Sequence, residues 1–167
     1  MTPKEFMTEM VSYLKEKGVT FYTHEKVQDL VISKDAIKEV MTTKRKLKAD
    51  EVLIAAGSWS PLLTRKLGVK IPIQAGKGYR INVERPTGIT IPTILIEAKV
   101  AVTPMHGFTR FSGTMEIGGI NHNIDAQRVK AIANAAEKYY EGIKMEQGEI
   151  ENATCGLRPC SPNGLPF

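Results

Sequence analysis

Arg158 is the side chain best suited to bind an acidic small molecule. It lies in the segment Gly156-Leu157-Arg158-Pro159, and its planar guanidinium can hold a carboxylate through two parallel hydrogen bonds. Such a grip fixes the position of a reacting atom, and positioning supplies a large part of many reaction rates. The alternative is a structural arginine near the end of a strand.

Two further features could serve the same chemistry. Tyr79 could donate its hydroxyl to the same carboxylate, although a tyrosine packed on a strand fits equally well. Ala55, Ala56 and Gly57 follow an apolar run, and such small residues let a bulky cofactor approach the backbone closely. A buried strand that ends in a turn would have the same composition.

The histidines and cysteines predict no site. His24, His106 and His122 have no partner at the spacing of metal ligands, and isolated histidines of this kind are typical of protein surfaces. Cys155 and Cys160 match no common metal signature, and two cysteines do not make a disulfide scaffold. We expect no metal, reduced thiols and a cytoplasmic location, with contact to the inner membrane face left open.

The composition excludes some classes of protein. The chain has 167 residues, of which 42% are hydrophobic and 25% charged, which is ordinary for a globular domain. The net charge is +5, but the densest basic run, residues 44–48, is more typical of a solvated hairpin tip than of a nucleic-acid site. No apolar run is long enough to span a membrane.

The pattern of apolar residues predicts an α+β fold. A capping box at Thr2 and Glu5 begins a first helix, which Gly18 ends. Two further helices are expected, a short one that begins at Ser60 and a long one over residues 125–140. The apolar residues of the long helix are spaced to pack on a sheet. The expected strands cover residues 19–23, 27–33, 36–43, 47–56, 79–84, 93–96, 100–103, 109–112, 115–118 and 149–157.

Four segments together resemble the D-amino-acid dehydrogenases and the wider family of FAD-dependent glycine, sarcosine and D-amino-acid oxidases. Each motif is weak alone, but the four stand in order along nearly the whole chain. They are residues 18–27, residues 49–60 with Ala55-Ala56-Gly57-Ser58-Trp59, the pair formed by Gly76-Lys77-Gly78-Tyr79 and residues 110–117, and residues 156–167.

The resemblance implies a flavin-dependent oxidation. The intact protein would oxidise the CH–NH2 group of a D-amino acid to an imino acid, with FAD as the electron acceptor. Arg158 would bind the substrate carboxylate beside Tyr79, and the amine would enter neutral, without a dedicated side-chain base. The residues expected to contact FAD are Val27, Ala55, Ala56, Gly57, Trp59, Gly156 and Leu157.

The resemblance also implies a division into domains. Residues 1–57 would be a partial FAD-binding domain with a helix and a β-meander, residues 58–157 a substrate-binding domain with an antiparallel or mixed sheet, and residues 158–167 the return to the FAD domain. No G-x-G-x-x-G turn follows a predicted strand. We therefore expect a fragment that is inactive alone, holds no FAD and self-associates through the face left by the missing domain.

Three alternatives stay open. Another oxidase of the superfamily, acting on sarcosine, glycine or a 2-hydroxy acid, would share Arg158, and substrate-dependent bleaching of the flavin would distinguish it. A non-catalytic module would bind carboxylates without a flavin domain. A structural interaction domain would bind no small ligand.

Overall fold

The computed structural model describes residues 2–34 and 36–165. Its contacts divide the chain into two compact units: unit 1 contains the described parts of Met1–Ile73 and Ser161–Phe167, and unit 2 is Gln74–Cys160. These boundaries differ from the expected ones at 57/58 and 157/158. The assignment of the chain to a flavin domain and a substrate domain stays a prediction, and Pro166 and Phe167 of the expected return segment lie outside the described residues.

Unit 1 begins with the expected helix, α1 (Pro3–Glu16). The Thr2 Oγ1 accepts a hydrogen bond from the Glu5 backbone N–H at 3.3 Å, and the Glu5 carboxylate accepts one from the Thr2 N–H at 2.5 Å. This capping box satisfies N–H groups that the first turn cannot pair internally. Gly18, at φ 86°, follows the C-terminal end in the left-handed conformation that glycine adopts without strain.

A three-stranded antiparallel sheet follows α1 in the order β1-β2-β3. Its strands are β1 (Val27–Ser33), β2 (Ala36–Thr42) and β3 (Lys46–Leu47). The short helix α2 (Ser60–Thr64) lies between single turns of 3-10 helix at Gly57–Trp59 and Arg65–Leu67. Lys66 ties this region to β1 through an ion pair with Asp29, with 2.5 Å between Nζ and Oδ1.

Two expected strands of unit 1 are not formed. Residues 19–23 are irregular, and the run expected at 47–56 keeps strand structure only in β3. Residues 52–57 have no strand neighbour among the described residues, and Leu53 is 91% exposed. An apolar run becomes a strand only where another strand accepts its backbone hydrogen bonds, so composition alone could not decide this element.

Unit 2 is built on a five-stranded antiparallel sheet in the order β5-β6-β7-β4-β8. The expected runs at 109–112 and 115–118 form one strand with a bulge, and the expected strand at 149–157 begins later because a short helix precedes it. The strands are β4 (Gln74–Val83), β5 (Thr93–Leu95), β6 (Val100–Met105), β7 (Phe108–Ile117) and β8 (Thr154–Cys160).

The helices α3 (Ala126–Tyr139) and α4 (Gln147–Glu151) complete unit 2. Asp125 caps α3 by accepting hydrogen bonds from the N–H groups of Gln127 and Arg128 at 2.9 and 3.2 Å. Helix α3 packs on one face of the sheet, chiefly against β4 and β7. Its apolar residues recur at the helical period and close the core, and the buried ones are Val129, Ile132, Ala133, Ala135 and Ala136.

The structure therefore has the α+β class that the sequence predicts, and both of its sheets are antiparallel. Within the described residues, no helix has the length and apolar character needed to cross a membrane. The face of the five-stranded sheet opposite α3 is open within unit 2, and Arg158 lies there.

Candidate functional site

A cleft of about 700 Å³ runs across the open face of the five-stranded sheet. Its floor is the pair of facing glycines Gly78 on β4 and Gly156 on β8. A Cβ added to Gly156 would meet nothing within 4 Å, and one added to Gly78 would meet only a backbone oxygen at 4.0 Å. The floor is therefore bare backbone that a ligand can approach closely.

Arg158 lies at one end of this floor. It faces Gly76 across the β4–β8 pair, two residues from Gly156, so its side chain is on the same face as the floor. The side chain is exposed, and its guanidinium makes no hydrogen bond or ion pair with the rest of the described chain. Because the N–H groups of this guanidinium are unpaired in the described chain and lie beside an open floor, they suit the bidentate carboxylate contact expected from the sequence.

The lining of the cleft carries charge of one sign. Its charged side chains are Arg80, Lys99, Arg110 and Arg158, and no carboxylate or histidine of the described residues lines it. The exposed apolar side chains of Ile94 and Met115 belong to the same lining. A concave site whose charged groups are all cationic favours a small anionic ligand with an apolar part.

Tyr79 has a partner on the other face of the sheet. It is 1% exposed, and its hydroxyl donates to the Glu116 carboxylate at 2.6 Å. Residues of β4 alternate in direction, so this hydroxyl lies on the side of α3, whereas Gly78 and Arg80 face the cleft. In this structure the Tyr79 hydroxyl binds Glu116, and its contact with a substrate carboxylate stays a prediction.

Glu116 reaches Tyr79 because of a β-bulge. Gly78 pairs with Met115 and Tyr79 pairs with Gly113, so Thr114 is the extra residue of β7, at φ 51°. The bulge reverses which residues of β7 point toward α3. After it, Glu116 points to the core side and Met115 to the cleft.

Lys77 completes the network around Glu116. It is 2% exposed, and its Nζ lies 2.8 Å from Asn121 Oδ1, 3.0 Å from the Asn123 carbonyl oxygen and 3.3 Å from Glu116 Oε1. The hydrogen bond from Tyr79 is the main cause that lowers the pKa of Glu116; burial opposes it, and the charges of Lys77 and Arg128 add to it. The network holds β4 and β7 together beneath the cleft.

The residues expected to contact FAD fall in both units. Val27 begins β1, and Ala55, Ala56, Gly57 and Trp59 lie in or beside the irregular run before α2, all in unit 1. Gly57 is in the left-handed conformation at φ 52°, and a Cβ there would meet nothing within 4 Å.

Gly156 and Leu157 belong to unit 2. Gly156 is part of the cleft floor, while Leu157 pairs with Lys77 and its side chain points away from Arg158. Sequence reasoning named Gly156 and Arg158 but missed Arg80 and Arg110. The two-residue period of β4, which puts Gly76, Gly78 and Arg80 on one face, is the signal that would have found Arg80.

The whole chain is similar to known proteins. The model of the family described as FAD dependent oxidoreductase (DAO) matches residues 1–167. The D-amino acid dehydrogenase of Agrobacterium fabrum (strain C58) is 33% identical over 166 residues, which are 96% of this chain and 39% of that protein. The chain thus spans about two fifths of the length of such relatives.

Solved structures share the fold. The L-proline dehydrogenase of P. horikoshii has a TM-score of 0.76 at 21% identity, covering 96% of this chain and 44% of that one. The glycine oxidase of Geobacillus kaustophilus has a TM-score of 0.73 at 21% identity, covering 90% of this chain and 40% of that one.

Proposed function

The chain belongs to the FAD dependent oxidoreductase (DAO) family, and on that premise we propose that it supplies the substrate-binding part of an enzyme that oxidises D-amino acids to imino acids. The observation that carries the proposal is Arg158, whose guanidinium has no partner among the described residues and lies beside a bare backbone floor. The name of the relative from Agrobacterium fabrum supports an amino-acid substrate of D configuration.

The role of Arg158 follows from its position. Its two parallel donors would hold the α-carboxylate at one end of the floor, so that the α-carbon lies over Gly78 and Gly156. Their missing side chains leave room for a flat ring and a substrate to stack closely. In the described part of the lining no side chain can act as a carboxylate or imidazole base, which fits an amine that enters neutral.

FAD is the cofactor of the family, and small, accessible residues of unit 1 suit contact with it. Gly57 and the neighbouring Ala55 and Ala56 present backbone that a bulky group can reach. We assign Val27, Trp59 and these three residues to the cofactor, with Gly156 and the backbone of Leu157 at the ring. When bound, FAD accepts the electron pair that the α-carbon gives up.

We propose an amino acid as the small-molecule partner, a cytoplasmic location with peripheral contact to the inner membrane face, and self-association through exposed apolar side chains of unit 1 such as Phe6 and Met7. A sarcosine, glycine or 2-hydroxy-acid oxidase would use Arg158 in the same way, and bleaching of the flavin by each substrate separates these activities.

Substitution of Arg158 in the flavin-loaded holoenzyme tests the proposal. Loss of a charge-assisted contact costs about 1.5–3 kcal/mol, so Arg158→Ala should lower kcat/KM for a D-amino acid by roughly tenfold to a hundredfold. Arg158→Lys keeps the charge but not the fork and should fall between Ala and wild type. An amine that lacks the carboxylate never uses the contact, so equal losses for both substrates would refute the role of Arg158.

A further inference from the structure

Two arginines stand at the end of the cleft opposite Arg158. Arg80 on β4 pairs with Ser112, and Arg110 on β7 pairs with Asn82, so the two arginines are diagonal neighbours on the cleft face. The Arg80 Nε donates to Thr154 Oγ1 at 2.8 Å, and the Arg110 Nε donates to Asn82 Oδ1 at 3.1 Å. Neutral groups thus hold both side chains, and each guanidinium keeps its terminal NH2 groups for another partner.

The electrostatics of this pair favour an anion between them. In the described part of unit 2, neither arginine has a carboxylate partner. Burial lowers the pKa of Arg110, and the neighbouring charge of Arg80 lowers it further. Two like charges on a half-buried face repel each other, and a bound anion relieves that repulsion.

The spacing along the sheet leaves room for a ligand with two carboxylates. Arg158 faces Gly76, and Arg80 is four residues further along β4, so the Cα atoms of Gly76 and Arg80 lie about 13 Å apart at the usual rise per residue. Long arginine side chains at the two ends can reach toward each other, so each guanidinium can bind one carboxylate of a single small ligand. A glutamate skeleton has a carboxylate at each end and fits within this span, and the glycine floor lies beneath it.

We propose that Arg80 and Arg110 form a second carboxylate subsite, so that the substrate is an amino acid whose side chain ends in a carboxylate, such as glutamate. The inference rests on the proposed function, because it takes Arg158 as the partner of the α-carboxylate. Arg158 holds one end of the substrate, the backbone of Gly78 and Gly156 passes beneath it, and Arg80 and Arg110 hold the other end.

Glutamine is the matched probe, since it has the size of glutamate without the second charge. In the flavin-loaded holoenzyme, kcat/KM for D-glutamate should exceed that for D-glutamine by roughly tenfold or more. Arg80→Gln and Arg110→Gln should each remove most of this ratio by lowering the value for D-glutamate alone. Lys130→Gln changes the same charge on an exposed position of α3 and should leave the ratio unchanged.

A binding measurement separates this inference from the proposed function. Calorimetry with glutarate and with butyrate compares ligands that have two and one carboxylates, and glutarate should bind more tightly only while Arg80 and Arg110 are present.

Oxidation of D-glutamine as fast as D-glutamate would overturn the subsite and leave the proposed function standing. Tight binding of glutarate without oxidation of any amino acid would overturn the function instead. Equal losses for both substrates in Arg80→Gln, with unchanged thermal unfolding, would show that Arg80 contacts the flavin and would also overturn the subsite.

Discussion

A valine at position 156 tests whether the cleft floor is bare because a ligand must lie on it. Gly156 faces Gly78, its backbone is not in the left-handed region, and a Cβ there would meet nothing within 4 Å. The valine therefore creates no clash in the sheet. Its side chain stands up into the cleft, between Arg158 and the two arginines at the other end.

The structure predicts that Gly156→Val raises the stability of the protein and lowers its activity. Replacing glycine by a β-branched residue within a strand gains up to about 1 kcal/mol. Unit 2 spans Gln74–Cys160, and in domains of that size such a gain raises Tm by about 4–8 °C. A substrate lifted by the valine moves by more than about 1 Å, and a misplacement of that size costs on the order of a hundredfold in rate.

Two measurements check this prediction for Gly156→Val. Circular dichroism should show a Tm that is unchanged or a few degrees higher, while steady-state kinetics of the holoenzyme should show a loss in kcat/KM of about a hundredfold. Gly156→Ala should lose less, and Gly148→Ala, at another open glycine on α4, should lose nothing. Full activity in a folded Gly156→Val protein would refute the claim that substrate lies on this floor.

Three further predictions concern the cofactor, the surface and the buried network. The 167-residue chain alone should leave gel filtration without flavin, because it has no G-x-G-x-x-G turn for the pyrophosphate; a stoichiometric yellow complex would contradict this. Helix α1 buries no side chain and exposes Phe6, Met7 and Tyr13, so sedimentation should show association that Met7→Glu weakens; a monodisperse monomer over a wide concentration range would count against it. The pKa of Glu116 lies below its usual 4.5 in the folded chain, so its stabilising effect is present above that pH and is lost as pH falls through the lower folded value. The Tm difference between wild type and Glu116→Gln should be constant above about pH 5 and shrink in more acidic buffer; a difference that grows toward acid would refute the role of the network.

Local sequence decided much of the secondary structure. The capping box of Thr2 and Glu5 and the stop at Gly18 define α1, and the period of the apolar residues in α3 defines the face that packs on the sheet. These signals act within a few residues, so they can be recognised without a fold. The segment around Arg158 pointed in the same way to a carboxylate contact, and the position of Arg158 on the open face is compatible with it.

Contacts between distant segments decided which strands form and which side chains share the cleft. Residues 52–57 have the composition of a strand but no strand neighbour in the described chain. The bulge at Thr114 turned Glu116 toward Tyr79, which gave that hydroxyl a structural partner on the face away from Arg158. The register of β4 with β7 and β8 brought Arg80, Arg110 and Arg158 to one cleft from three strands. Sequence patterns report which residues favour a strand, but the pairing of strands determines which side chains share a face, because a shift of one residue moves every side chain to the other side.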